Sequence, residues 1–157
     1  MRRVGWTVLA SCLLACVGAD RAIAEDEGEA VWRAQPHHLS LIVGGTANEE
    51  HTAFTLGLDY EYRVCEFLGI GAVAEYVLED IDAATFLAVA DLHLWRGLGV
   101  QTGPGVEVTD DENLFVYRVG LLYEFELDPY TVSPQVHTDL TDKEWAIVFG
   151  VGIGFPF

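Results

Sequence analysis

The sequence has 157 residues, one domain's worth of chain, with 8 basic and 25 acidic residues and a formal net charge of −17. So acidic a chain has no general basic surface for phosphate, which excludes nucleic acid as a partner. Yet 51% of the residues are hydrophobic and the mean hydropathy is +0.25, unlike an acidic disordered tail, so charge and hydrophobicity must be segregated along the chain.

Residues 1–24 read as a cleaved export signal. Arg2 and Arg3 give a positive start, 4–18 is apolar, and Ala22-Ile23-Ala24 is a small-x-small cleavage site ahead of Glu25. A lipoprotein reading competes, with Leu13-Leu14-Ala15-Cys16 placing a lipid on Cys16. Cleavage after Ala24 would remove Cys12 and Cys16 and leave Cys65 without an intramolecular disulfide partner. Residues 25–36 are acidic and aperiodic, and are expected to form a solvated periplasmic segment.

From residue 37 to residue 157 the dominant period is two, the mark of strands with unlike faces. A weak strand at 38–45 comes first. In 52–63 the large face is Phe54, Leu56, Leu58, Tyr60 and Tyr62, with Asp59, Glu61 and Arg63 opposite. A weak strand at 67–77 carries Glu75. Segment 85–94 sets Phe86, Ala88, Ala90, Leu92 and Leu94 against Asp91 and His93. Segment 98–108 sets Leu98, Val100, Val106 and Val108 against Gly99, Gln101, Gly103, Gly105 and Glu107. In 114–126, Phe115, Tyr117, Val119, Leu121, Tyr123 and Phe125 oppose Arg118, Gly120, Glu124 and Glu126. A weak strand at 130–137 ends in His137. The last segment is the clearest: Trp145, Ile147, Phe149, Val151, Ile153, Phe155 and Phe157 alternate with small residues and Pro156.

The large face carries almost no charge, whereas the other face mixes charges with glycine. A hydrocarbon solvent outside and a narrow polar bore inside explain both. The expected fold is all-β, an eight-stranded antiparallel up-and-down transmembrane β-barrel over 37–157. Pro104 and Pro134 fall inside strands, where a bulge or strand end is expected. Tyr60, Tyr62, Tyr123, Phe125, Phe155 and Phe157 fall toward one rim and Phe54, Tyr76, Phe86, Phe115 and Trp145 toward the other, as two aromatic girdles. With a periplasmic N-terminus, acidic outer loops lie near 47–51, 78–82, 109–113 and 138–143. Short inner turns lie near 64–66, 95–97 and 127–129.

On these residues the chain resembles small bacterial outer-membrane β-barrels of the OmpA/OmpX/OmpW-like group. The resemblance implies a Gram-negative outer-membrane location and contact with outer-membrane lipid and lipopolysaccharide. It also implies recognition by the barrel assembly machinery through the final strand, with Phe155 and Phe157 as the assembly signal. The short outer loops depart from that group and argue against adhesion.

The expected interior polar network is Asp59, Glu61, Arg63, Glu75, Asp91, His93, Glu107, Arg118, Glu124, Glu126 and His137, with Arg118 at the centre of its ion pairs. A buried carboxylate needs a partner, so this network is read as fixing the barrel. Its acidic excess also suits a narrow channel for small solutes or cations. A third reading is a soluble periplasmic, lipocalin-like barrel with its large face turned inward around an apolar ligand. No enzyme is expected, because neither His137-Thr138-Asp139 nor His37-His38-Leu39-Ser40 matches a His-x-Ser-Asn deacylase pattern. No cofactor and no metal site are expected. Asp110-Asp111-Glu112 lacks the spacing and glycine turn of a calcium loop.

Overall fold

The computed structural model describes residues 35–48, 51–78, 83–109 and 112–157. The export signal, the acidic segment through residue 34 and the tips of three loops lie outside the described residues. The described chain forms nine β-segments: β1 His37–Ala47, β2 Thr52–Cys65, β3 Leu68–Val77, β4 Ala83–Trp95, β5 Leu98–Val108, β6 Asn113–Tyr123, β7 Phe125–Leu127, β8 Tyr130–Thr141 and β9 Trp145–Pro156. β6 and β7 are one stave, because both pair with β8 in a single register, from Leu122↔Gln135 to Phe125↔Val132. Neighbouring staves pair antiparallel, and β1 pairs with β9. The sheet therefore closes into the eight-stranded up-and-down barrel that the alternation predicts.

The prolines act differently from expectation. The break between β6 and β7 lies opposite Ser133 and Pro134, where Pro134 has no N–H to donate. Pro104 interrupts the β4–β5 ladder between Leu87↔Gly105 and Ala90↔Thr102. In both places the register continues without a slip, since the strand on the proline's other side still holds it. The register shifts fall instead at Arg63/Cys65 and His93/Trp95, beside two turns, where the sheet rim bends.

The large apolar residues face outward. On β9, Trp145, Ile147, Phe149, Val151, Ile153, Phe155 and Phe157 are 36–54% exposed, and the large faces of β2 and β6 are exposed in the same way. The soluble alternative needs these side chains inside, and this placement overturns it. Water does not tolerate so broad an apolar surface, whereas lipid does, and a closed sheet leaves no unpaired edge in lipid. Strands of 10–14 residues match a tilted crossing of the hydrocarbon core.

Aromatic side chains gather at the end that carries His37 and Phe157. His37 stacks on Phe157 at 5.3 Å, Tyr123 meets Phe125 at 4.7 Å, and Tyr130 meets Phe155 at 5.2 Å. Tyr60 and Tyr62 lie beside them against His37. At the distal end Phe54, Tyr76, Phe86, Phe115 and Trp145 are exposed.

The connections are tight. Arg96 (φ 45°) and Gly97 (φ 86°) make a two-residue β4–β5 hairpin with both φ values positive. A Cβ on Gly97 would also collide with the Glu124 carbonyl oxygen. At the distal end, β8 runs to Thr141, so the loop expected at 138–143 shrinks to 142–144. That loop and its neighbour share one pattern, Thr109-Asp110-Asp111-Glu112 and Thr141-Asp142-Lys143-Glu144. In each, the threonine hydroxyl donates to the glutamate carbonyl and accepts the glutamate N–H. Lys143 Nζ then donates to Glu112 Oε1, joining the two loops.

Candidate functional site

The bore is narrow, and its large polar side chains are admitted by glycines on the adjacent staves. Arg118 lies across the ladder from Gly103, Gln101 and His137 from Gly120, Glu75 from Gly57 and Gln135 from Gly150. Some of these contacts leave no room for a methyl group. A Cβ at Gly120 would run into His137 Nδ1, and one at Gly57 would lie 2.7 Å from Glu75 Cγ. Inward glycine is thus the space that the interior acids and bases occupy.

In the distal half, Arg118 is fully buried and held by two carboxylates at once. Its Nη1 and Nη2 donate to Glu75 Oε1 and Oε2 at 2.8 and 2.5 Å. Its Nε and Nη2 donate to Asp139 Oδ1 and Oδ2 at 2.7 and 2.6 Å. The planar guanidinium matches both carboxylates bidentately, which is the strongest arrangement open to a buried ion pair. An apolar layer of Ile42, Val73, Leu87, Val89 and Val116 fills the neighbouring bore. Clamp and layer together close the middle of the barrel.

In the half nearer His37 and Phe157, the bore is a polar chamber. Glu61 Oε1 accepts from His93 Nε2 at 2.7 Å and from Arg63 Nε at 3.4 Å. Arg63 Nη2 also lies 3.9 Å from Glu124, and His38 lies 2.7 Å from the Thr131 hydroxyl and 4.0 Å from Glu124. Deeper in, Gln101 Nε2 donates to Asp59 Oδ2 and to Asp91 Oδ1, both at 3.0 Å. A void of about 20 Å³, the room of one water, adjoins these groups. The chamber leads to a mouth of about 400 Å³ lined by Arg63, Glu124, Glu126, Asp128 and Tyr130 among others.

The sequence-predicted residues thus separate into groups. Glu75, Arg118 and His137 lie together in the distal half; Asp59, Glu61, Arg63, Asp91, His93 and Glu124 lie together in the chamber. Glu107 is half-buried on the inward face near the distal rim, and Glu126 is exposed at the mouth. Two members lie beyond the sequence-predicted network: Asp139, expected in a loop, and the uncharged Gln101. The signal for Asp139 was present: Thr131, Ser133, Gln135, His137 and Asp139 are one polar alternation along β8, and all five are buried. Asp139 is bound to Arg118, and neither ring nitrogen of His137 meets a partner among the described residues, so the two side chains are not hydrogen-bonded to each other. His37 and His38 point to opposite faces of β1. Cys65, expected to lack a disulfide partner, is buried and disulfide-bonded. No three His, Cys, Asp or Glu side chains among the described residues converge to hold a metal ion.

No family model and no curated protein sequence matches the chain. Solved structures match it in shape. The N-terminal β-barrel domain of Pseudomonas aeruginosa OprF superposes with a TM-score of 0.58 at 14% identity, over 78% of this chain and 98% of that one. The outer membrane protein Ail of Yersinia pestis, in a phospholipid bilayer nanodisc, gives 0.52 at 11% identity, over 78% and 100%. A de novo designed transmembrane β-barrel gives 0.53 at 12% identity, over 78% and 97%. The outward apolar belt, the closed ladder and these superpositions agree that the chain has the fold of a small eight-stranded transmembrane β-barrel.

Proposed function

We propose that the protein is an integral outer-membrane barrel, exported by a signal at 1–24, whose role is structural or surface-presenting and not catalytic. The observation that carries this reading is the closed bore: Arg118, Glu75 and Asp139 bridge it beside an apolar layer, leaving the lipid-facing belt and the distal loops as the working surfaces. The short acidic loops face lipopolysaccharide, whose phosphates divalent cations bridge to loop carboxylates. The interior polar residues fix the barrel, and the two aromatic girdles seat it at the two interfaces.

Cell fractionation with gel mobility in SDS, boiled and unboiled, tests location and closure. Outer-membrane recovery with a heat-dependent shift is expected; a soluble periplasmic protein without the shift overturns the reading. Planar-bilayer recording tests the plug. A silent bilayer is expected, and a steady conductance lost on neutralising Glu75 or Glu107 would establish the channel alternative. Phe155 and Phe157 act in assembly on this reading. Phe157→Ala should therefore lower assembly in cells far more than refolding in detergent, and equal losses would remove that role.

A further inference from the structure

We infer that the chamber beneath the Arg118 clamp is a binding site for one small monovalent cation, sodium or potassium, held by the free carboxylate oxygens of Asp59 and Asp91. The inference rests on what each carboxylate lacks. Gln101 Nε2 satisfies Asp59 Oδ2 and Asp91 Oδ1, while Asp59 Oδ1 and Asp91 Oδ2 are buried and meet no hydrogen-bond donor among the described residues. Asp91 is only 4% exposed, and both residues line the same void.

Among the described residues, every cation near them is already paired with another carboxylate. Arg63 and His93 are taken up by Glu61, Arg63 and His38 approach Glu124, and Arg118 is committed to Glu75 and Asp139. Gln101 brings hydrogen bonds and no charge. Two carboxylates in a dry bore with a neutral bridge take up a proton or draw in a cation, and the oxygen-lined void beside them favours the cation. The rest of the lining supplies oxygen ligands: the hydroxyls of Ser40 and Ser133, and the amide of Gln135. Gln135 Nε2 meets no acceptor among the described residues, so that amide is free to flip and offer Oε1 as a ligand. Oxygen donors select hard cations. A divalent ion wants a cage of several carboxylates, and no such cage of three converges among the described residues. The void of about 20 Å³ admits one small ion, which enters through the mouth because the clamp closes the other side.

The test uses the full-length protein folded in detergent. Its thermal midpoint is followed in sodium or potassium chloride against N-methylglucamine chloride at equal ionic strength. The midpoint should rise with alkali cation, by about 5 °C at ten times the dissociation constant, and stay flat in N-methylglucamine. Asp59→Asn/Asp91→Asn should abolish the rise, and the loop variant Asp142→Asn should keep it. A wild-type midpoint equal in all three salts overturns the inference, as water or protons then fill the void. Loss of the rise in Asp142→Asn, with retention in the double variant, also overturns it by moving the ion to the loops. If the double variant does not refold, thallium(I) in wild-type crystals decides. An anomalous peak between Asp59 and Asp91 supports the site, and its absence overturns it.

Discussion

Arg118 and Gln101 hold comparable places in the bore. Each is buried, each lies across from a glycine of the next stave, and each bridges two carboxylates. One brings a positive charge and saturates all four oxygens of its partners; the other brings none and leaves two oxygens without a donor among the described residues. The difference separates two uses of the same ingredients. The distal clamp gives every carboxylate oxygen a donor, with one guanidinium shared by two carboxylates, and it acts as a fixed partition. The other half leaves two carboxylate oxygens without a donor among the described residues, and groups in that condition take up a proton or a ligand from solution. Geometry alone is therefore a poor guide to which buried acids are structural. The question that sorts them is whether each oxygen has a donor.

The largest expected effect breaks the finished side. Arg118→Met should cost roughly 3–5 kcal/mol, because it strands Glu75 and Asp139 in the bore. Urea unfolding of the detergent-refolded barrel measures it, and adding Glu75→Gln and Asp139→Asn should recover most of the loss. Next is the space that the polar side chains need. Gly120→Ala puts a methyl against His137 and the Val136 carbonyl oxygen, which a Cβ would approach to 2.5 Å. A cost of about 1–3 kcal/mol by the same measurement is expected. The third change makes the two halves alike. Gln101→Lys sets an ammonium between Asp59 and Asp91, for a gain on the order of 1 kcal/mol and a midpoint indifferent to sodium. A Gln101→Lys barrel that still responds to sodium would show that the two halves do not differ in this way. The smallest effect lies outside both. Lys143→Ala removes an exposed ion pair to Glu112 and should shift stability by no more than about 0.5 kcal/mol.

The strand pattern was legible wherever one face is bulky. In β9 the alternation from Trp145 to Phe157 gave the period, the outward face and so the solvent. It was illegible where both faces are modest. In β8 the outward residues Val136, Thr138 and Leu140 are separated by polar side chains and preceded by Pro134, so the strand looked finished at His137 when it continues to Thr141. That shortening turned Asp139, half of the clamp, into a loop residue. The opposite error befell Glu126, placed inside by carrying the alternation past Glu124, although it is exposed at the mouth. Gln101 escaped notice for a different reason: a list of charges omits the neutral group that joins two of them. The prolines misled because a missing donor was equated with a bulge, when one lost rung leaves the register intact.

The first and last staves meet as a hairpin would. His37 N donates to the Phe157 carbonyl oxygen at 3.1 Å, and Phe157 N donates to the His37 carbonyl oxygen at 2.8 Å. A short peptide joining these two residues would make the barrel covalently circular, and any distal loop could then supply new termini. In such a permuted chain, Phe157 keeps its neighbours on the barrel wall but leads through the new peptide into β1. That chain would separate two properties of this aromatic: its contribution to the wall, and its place after the final stave.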